Sequence, residues 1–148
     1  MDTDNLATAL CACATGIYAV EAGVALLIGN GTFLRRDDLT ARFIEHGTIG
    51  GIAMAAIDWQ AAVTSLAAGG LPCSSGERRI LQLPASLAEG TPVSLHDTVI
   101  GFDNDNTARL IAAISHAAGN GSTEMHTNNW PSLSRSLALP RPQLGRRV

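Results

Sequence analysis

The stretch TGIYAVEAGVALLIGNG, residues 15–31, is almost wholly apolar, yet it carries one acid, Glu21, near its middle. A run of this kind is a membrane span, a signal sequence or a buried core helix, and the choice decides the fold. The region from Leu6 to Leu34 contains no Lys or Arg. A span is disfavoured by Glu21, whose carboxylate would cost about 2–3 kcal/mol or more in a bilayer. The many Ala, Gly and Thr residues add little transfer energy to offset it. A secretory signal needs a positive leading region, whereas this chain opens Met-Asp-Thr-Asp. A buried core helix is the reading that survives.

Working outward, Leu6, Leu10, Cys13, Ile17, Val20, Val24 and Leu27 follow a 4-3-4-3-4-3 spacing. That pattern is a coiled-coil-like seam. It predicts a long N-terminal helix over residues 4–28, capped by Thr3 or Asp4 and ended by Gly29-Asn30-Gly31. Gly16 and Gly23 each weaken it by about 1 kcal/mol relative to Ala, and Gly16 is the natural place for a break. Glu21 falls beside the seam, at the edge of a helix interface. An unpaired carboxylate there is costly, so Glu21 is expected either to be held neutral by desolvation or to meet an Arg, with Arg42, Arg78 and Arg79 as candidates.

The remaining segments read as shorter helices. RRDDLTARFIEHG predicts one from Asp37 or Asp38 through Ile44. TIGGIAMAAI is Gly-rich and fits either a loop or a helix. Asp58 caps WQAAVTSLAAGG, with Trp59, Ala62, Val63 and Leu66 on one face. Ser74 and Glu77 fit a capping box opening a helix that Pro84 should kink or split. VSLHDTVIG offers one or two turns. DNDNTARLIAAISHAAG is the clearest amphipathic helix, with Leu110, Ile111 and Ile114 facing inward. The fold class is therefore all-α: one compact bundle of five or six helices over residues 1–119 around the long N-terminal helix. Residues 120–148 are rich in Asn, Ser, Pro and Arg and are expected to form a disordered basic tail, where Trp130, Leu133, Leu137 and Leu139 are docking candidates.

Charge narrows the partners. The chain has ten basic residues, all Arg, against thirteen acids, for a net charge of −3. Residues 1–119 hold twelve acids and six Arg, and residues 120–148 hold one acid and four Arg. An acidic body repels phosphate, so nucleic acid is a disfavoured partner, reached only through Arg78, Arg79 and the tail. The helix-turn-helix rhythm of residues 76–118 keeps a DNA-binding regulator as an alternative. Its second helix, however, would present His96, Asp97 and Thr98 where base- and phosphate-reading residues are needed.

Motifs for chemistry are sparse. Three cysteines without an export signal fit a reducing cytoplasm. Cys11 and Cys13 point to different faces of a helix, so no metal site is expected from them. Asp103-Asn104-Asp105-Asn106 opens like a calcium loop, but Ala108 and Ile114 stand where that loop needs Gly and a carboxylate, so helix capping explains it. His96 and Asp97 are the weak acid–base candidates; adjacent helical residues diverge, and a third group would have to complete them. No nucleophile elbow or phosphate loop is present. An enzyme is a second alternative, with a site not visible in sequence. The reading favours no cofactor, no membrane, and a cytoplasmic protein-interaction or regulatory module that self-associates through its helices.

Two stretches carry a resemblance: AGGLPCSSGERRIL, residues 68–81, and LHDTVIGFDNDNTARLIAAISHAAG, residues 95–119. They resemble small actinobacterial all-α proteins, mycobacterial and streptomycete in type and of unknown function. In these a Pro-Cys-Ser, a Glu-Arg-Arg-x-Leu and a terminal His-Ala-x-Gly recur. The resemblance covers Leu6 to Gly119 and implies a helical fold but no activity. The chain departs from the pattern at Pro84, where a better helix former is usual. An Arg-only, Ala- and Gly-rich composition points the same way, toward a GC-rich genome.

Overall fold

Gly16 divides the N-terminal apolar run. Its φ of +96° lies in the left-handed region that glycine tolerates and other residues resist. The helix predicted over residues 4–28 is therefore two helices, α1 (Thr3–Ala14) and α2 (Tyr18–Asn30), with Asp2 rather than Thr3 or Asp4 at the first N-cap. The computed structural model describes residues 2–120. The expectations about the basic tail and its Trp130, Leu133, Leu137 and Leu139 lie outside the described residues.

The break also ends the heptad seam. Leu6, Leu10, Val24 and Leu27 are buried within their own chain. Cys13 and Ile17, the members nearest the break, are exposed. The seam is thus consumed internally on either side of Gly16, and no continuous apolar stripe is left for a second helix. The central element is α2 alone. Val24 and Leu27 face the larger core with α1, while Ala22 and Leu26 join Leu83, Leu110 and Ala113 in a second cluster. A helix buried on both sides needs apolar residues nearly all round, which is why residues 15–31 look like a membrane segment. Among the described residues no helix is long and apolar enough to cross a membrane.

The fold is mostly helical but not wholly so. After a short 3₁₀ turn (Phe33–Arg35) comes α3 (Asp37–Phe43), followed by a β-hairpin of β1 (Ile44–Ile49) and β2 (Ile52–Ile57). The ambiguous TIGGIAMAAI is the end of β1, the turn and β2. Gly50 and Gly51 have φ of +57° and +81°, the two left-handed positions of a type I′ turn, whose twist suits a two-residue hairpin loop. Ile44 opposes Ile57 and Ile49 opposes Ile52. The predicted helix through Ile44 stops one residue earlier because Ile44 opens the strand. The hairpin packs through β2 on α1, and Ala55 is buried there.

Four more helices follow: α4 (Trp59–Ala67), α5 (Ser75–Glu89), α6 (Leu95–Val99) and α7 (Asn104–Ala117). The side chains of Asp58, Ser74, Ser94 and Asp103 each accept a backbone N–H at their helix start, and Ser74 with Glu77 completes the capping box. Pro84 does not split α5, which is continuous over 15 residues. Burial of Pro84 between elements and the firm N-cap offset the lost hydrogen bond, a penalty of about 3 kcal/mol in an isolated helix. α5 and α2 meet at Gly23, where an added Cβ would lie 2.7 Å from the Pro84 carbonyl oxygen. α7 lies against α2 through Leu110 and Ala113, whereas Ile111 and Ile114, expected to face inward, are about half exposed. Leu110 and Ala113 thus occupy the side of α7 that packs with Ala22 and Leu26 of α2.

Candidate functional site

Glu21 sits one turn into α2, directly after the Gly16 break. Its Oε1 accepts the Gly16 N–H at 2.8 Å, so the carboxylate ties off the bend between α1 and α2. Its Oε2 lies 2.6 Å from Nε2 of His116, in the last turn of α7. An ionised carboxylate can only accept, so with Glu21 in that form Nε2 is the donor. The Tyr18 ring meets the imidazole edge-on, with centroids 5.5 Å apart. Both side chains of the pair are roughly three-quarters buried, which makes the contact a structural tie between α2 and α7. Nearby, burial and secondarily the Glu21 charge push the Cys11 thiol up, away from the nucleophilic thiolate.

The partner of Glu21 is therefore His116, not Arg42, Arg78 or Arg79. Arg42 donates to the Gly70 carbonyl at 2.8 Å and the Ser65 hydroxyl at 3.2 Å, and its guanidinium stacks over Phe43. Arg79 donates to the Ile100 carbonyl at 2.6 Å and fastens the turn after α6 to α5. Arg78 is exposed. His116 stands 95 residues from Glu21, and no local pattern announces such a pairing.

Arg36 escaped the sequence reading. It bonds bidentately to Asp38 (3.0 and 2.6 Å), donates to the Pro72 carbonyl at 2.7 Å and the Cys73 thiol at 3.3 Å, and lies 3.6 Å from Glu77. Its partners hold the guanidinium more firmly protonated, the Asp38 bond first among them. In turn Arg36 lowers the Asp38 carboxyl, while the Ser74 cap and then Arg36 lower that of Glu77. The network joins the start of α3 to the start of α5. Its one legible trace was the acid-rich opening of α3, which reads as capping.

His96 and Asp97 lie exposed on the five-residue α6, and their side chains form no hydrogen bond among the described residues. Among the described residues no third titratable group is hydrogen-bonded to them. The helix-turn-helix candidate is α5, the loop and α6, and its presumed reading face carries that His and Asp, while Arg79 is held by Ile100. Among the described residues no group of three His, Cys, Asp or Glu is placed to hold a metal ion.

Two open cavities lie elsewhere. One of about 160 Å³ is walled by Leu10, Val24, Ala55 and Trp59, with Cys13 and Glu89 at its rim. The other, about 340 Å³, lies between the start of α1 and the hairpin, with Arg35, Asp37 and His46 around Leu6 and Leu34. Neither is lined by Glu21, His116, His96 or Asp97, so neither joins an acid–base pair to a cleft.

The hairpin supplies the most open surface. Ile44 and Ala55 turn toward the core, while Glu45, Gly47, Ile49, Ile52, Met54 and Ala56 form the opposite face. Ile49 is 69% exposed, more than any other large apolar residue described. The Asp58 N–H donates to the Phe43 carbonyl at 2.8 Å, which sets the phase of the ladder. Glu45/Ala56, Gly47/Met54 and Ile49/Ile52 are then the hydrogen-bonded pairs, and the N–H and C=O groups of His46 and Thr48 point away from β2. Among the described residues no strand lies beside that edge. Comparison with protein-family models, curated proteins and solved structures finds no match.

Proposed function

We propose that this protein is a small protein-interaction module whose contact surface is the β1–β2 hairpin. One observation carries the reading: among the described residues, an open sheet face bearing Ile49 adjoins an unpaired β1 edge that lacks the usual protection. Natural edges are blunted by Lys, Pro, bulges or a covering element. The Ile44–Ile49 strand has neither Lys nor Pro, and Glu45 is its one acid. The titratable pair with the best geometry, Glu21 and His116, is spent on holding helices together, which favours interaction over catalysis. The reading places the module in the cytoplasm, in keeping with free Cys11, Cys13 and Cys73. Kinship with the small actinobacterial proteins belongs to the same proposal and rests on residues 68–81 and 95–119.

The test is a photo-reactive amino acid at position 49, with exposed Gln60 on α4 as the control position. Adducts to an identified protein from position 49 and none from position 60 support the reading. Equal or absent protein adducts at the two positions overturn it.

A further inference from the structure

We infer that the partner of this surface is a second copy of the chain, joined β1 to β1 in antiparallel orientation to make a four-stranded sheet. The inference rests on the hairpin being the contact surface. The free edge offers the N–H and C=O of His46 and of Thr48, two donors and two acceptors at the spacing of one strand repeat. A two-fold axis through Gly47 sets His46 opposite Thr48 of the other copy, and each pair exchanges two hydrogen bonds. The same patch thereby satisfies itself, as a closed two-fold dimer requires.

Side chains agree with this register. Gly47 would face its own copy in the close, non-hydrogen-bonded position, where neighbouring Cα atoms approach to about 4.5 Å. Having no side chain, it lets the edges meet without collision. Glu45 would oppose Ile49 of the other copy, so the two acids are not set against each other. The outer faces, with Ile49, Ile52 and Met54, merge into one apolar surface across the two-fold. The heptad seam offers no comparable surface, because it is split at Gly16 and Leu6, Leu10, Val24 and Leu27 are buried within the chain. Edge pairing over so few residues is small by interface standards, so a weak, concentration-dependent dimer is expected.

Sedimentation velocity of the full chain, from low to several hundred micromolar, tests the inference. The wild type should show a concentration-dependent monomer–dimer equilibrium. Thr48→Pro removes a donor that points away from β2 and spares the β1–β2 ladder, so it should weaken the dimer at least tenfold. Ala53→Pro places the same ring on the opposite edge of the hairpin and should leave the dimer intact. Should Thr48→Pro fail to fold, as read by circular dichroism, Gly47→Glu serves instead. A side chain there has nothing within 4 Å, and two carboxylates would face each other across the axis. It should weaken the dimer at least tenfold, with partial recovery in high salt. A strict monomer throughout the range overturns the inference, as does a dimer indifferent to Thr48→Pro and Gly47→Glu. If the chain is monomeric while position 49 crosslinks to a different identified protein, the interaction reading stands and only the identity of the partner is overturned. A monomer with no specific adduct at position 49 overturns both.

Discussion

Replacing Gly23 by Ala sets two opposed effects against each other inside α2. In a solvated helix the change stabilises by about 1 kcal/mol, because glycine loses more backbone freedom on folding. At Gly23 the new methyl would stand 2.7 Å from the Pro84 carbonyl oxygen and 2.8 Å from the Ala88 Cβ. Ordinary carbon contacts lie near 3.5 Å, so α5 must retreat by about 0.7 Å. Both neighbours are fixed parts of α5 rather than ends of flexible chains, and cores resist such shifts at a cost of about 1–3 kcal/mol. Net destabilisation of up to about 2 kcal/mol should result. Gly29→Ala is the internal control. Its Cβ meets only the Arg109 side chain, at 3.3 Å, which can swing aside, so a gain of about 0.5 kcal/mol is expected. Urea unfolding followed by circular dichroism at 222 nm reads both. The reasoning fails if Gly23→Ala matches or exceeds the wild type in stability, or if the two variants move in the same direction.

Three other outcomes follow from the polar ties. Glu21→Ala should lower stability by about 1 kcal/mol by orphaning the Gly16 N–H and the His116 contact, and a double-mutant cycle with His116→Ala should show clear coupling. Ser74→Ala should cost about 1 kcal/mol through loss of the α5 cap, measured by the same urea titration. The third concerns acid. Asp38 and Glu77 have folded-state carboxyls below their ordinary values, so their contribution is complete above an unfolded pKa of about 4 and is lost as pH falls through the folded values. Melting temperature should therefore drop on acidification below about pH 4, and Arg36→Ala should flatten that decline. An identical acid limb in the variant would remove Arg36 from the account.

Local signals in the chain carried much of the fold. Asp58, Ser74, Ser94 and Asp103 start their helices where their short polar side chains, followed by apolar periods, say they should. Capping is legible because donor and acceptor lie three residues apart. The hairpin left one local signal, Ile49-Gly50-Gly51-Ile52, a glycine pair between β-branched residues. Alanine-rich flanks obscured it, since Ala53, Ala55 and Ala56 suit a helix at least as well as a strand.

By itself the sequence determined that the apolar run around Glu21 contains a core helix, that capped helices follow, and that Glu21 lies at a helix interface. Only the tertiary structure decided what those pieces meet. Gly16 tolerates either a helix or a left-handed bend, and packing of α1 and α2 as separate helices selects the bend. Ile111 and Ile114 are as apolar as Leu110, yet the close approach of α7 to α2 buries one and leaves the others half exposed. Glu21 found His116 rather than an arginine because the pairing is set by where the α7 C-terminus falls on α2. Contacts between elements depend on the summed shapes of many side chains, and no window of neighbouring residues contains that information.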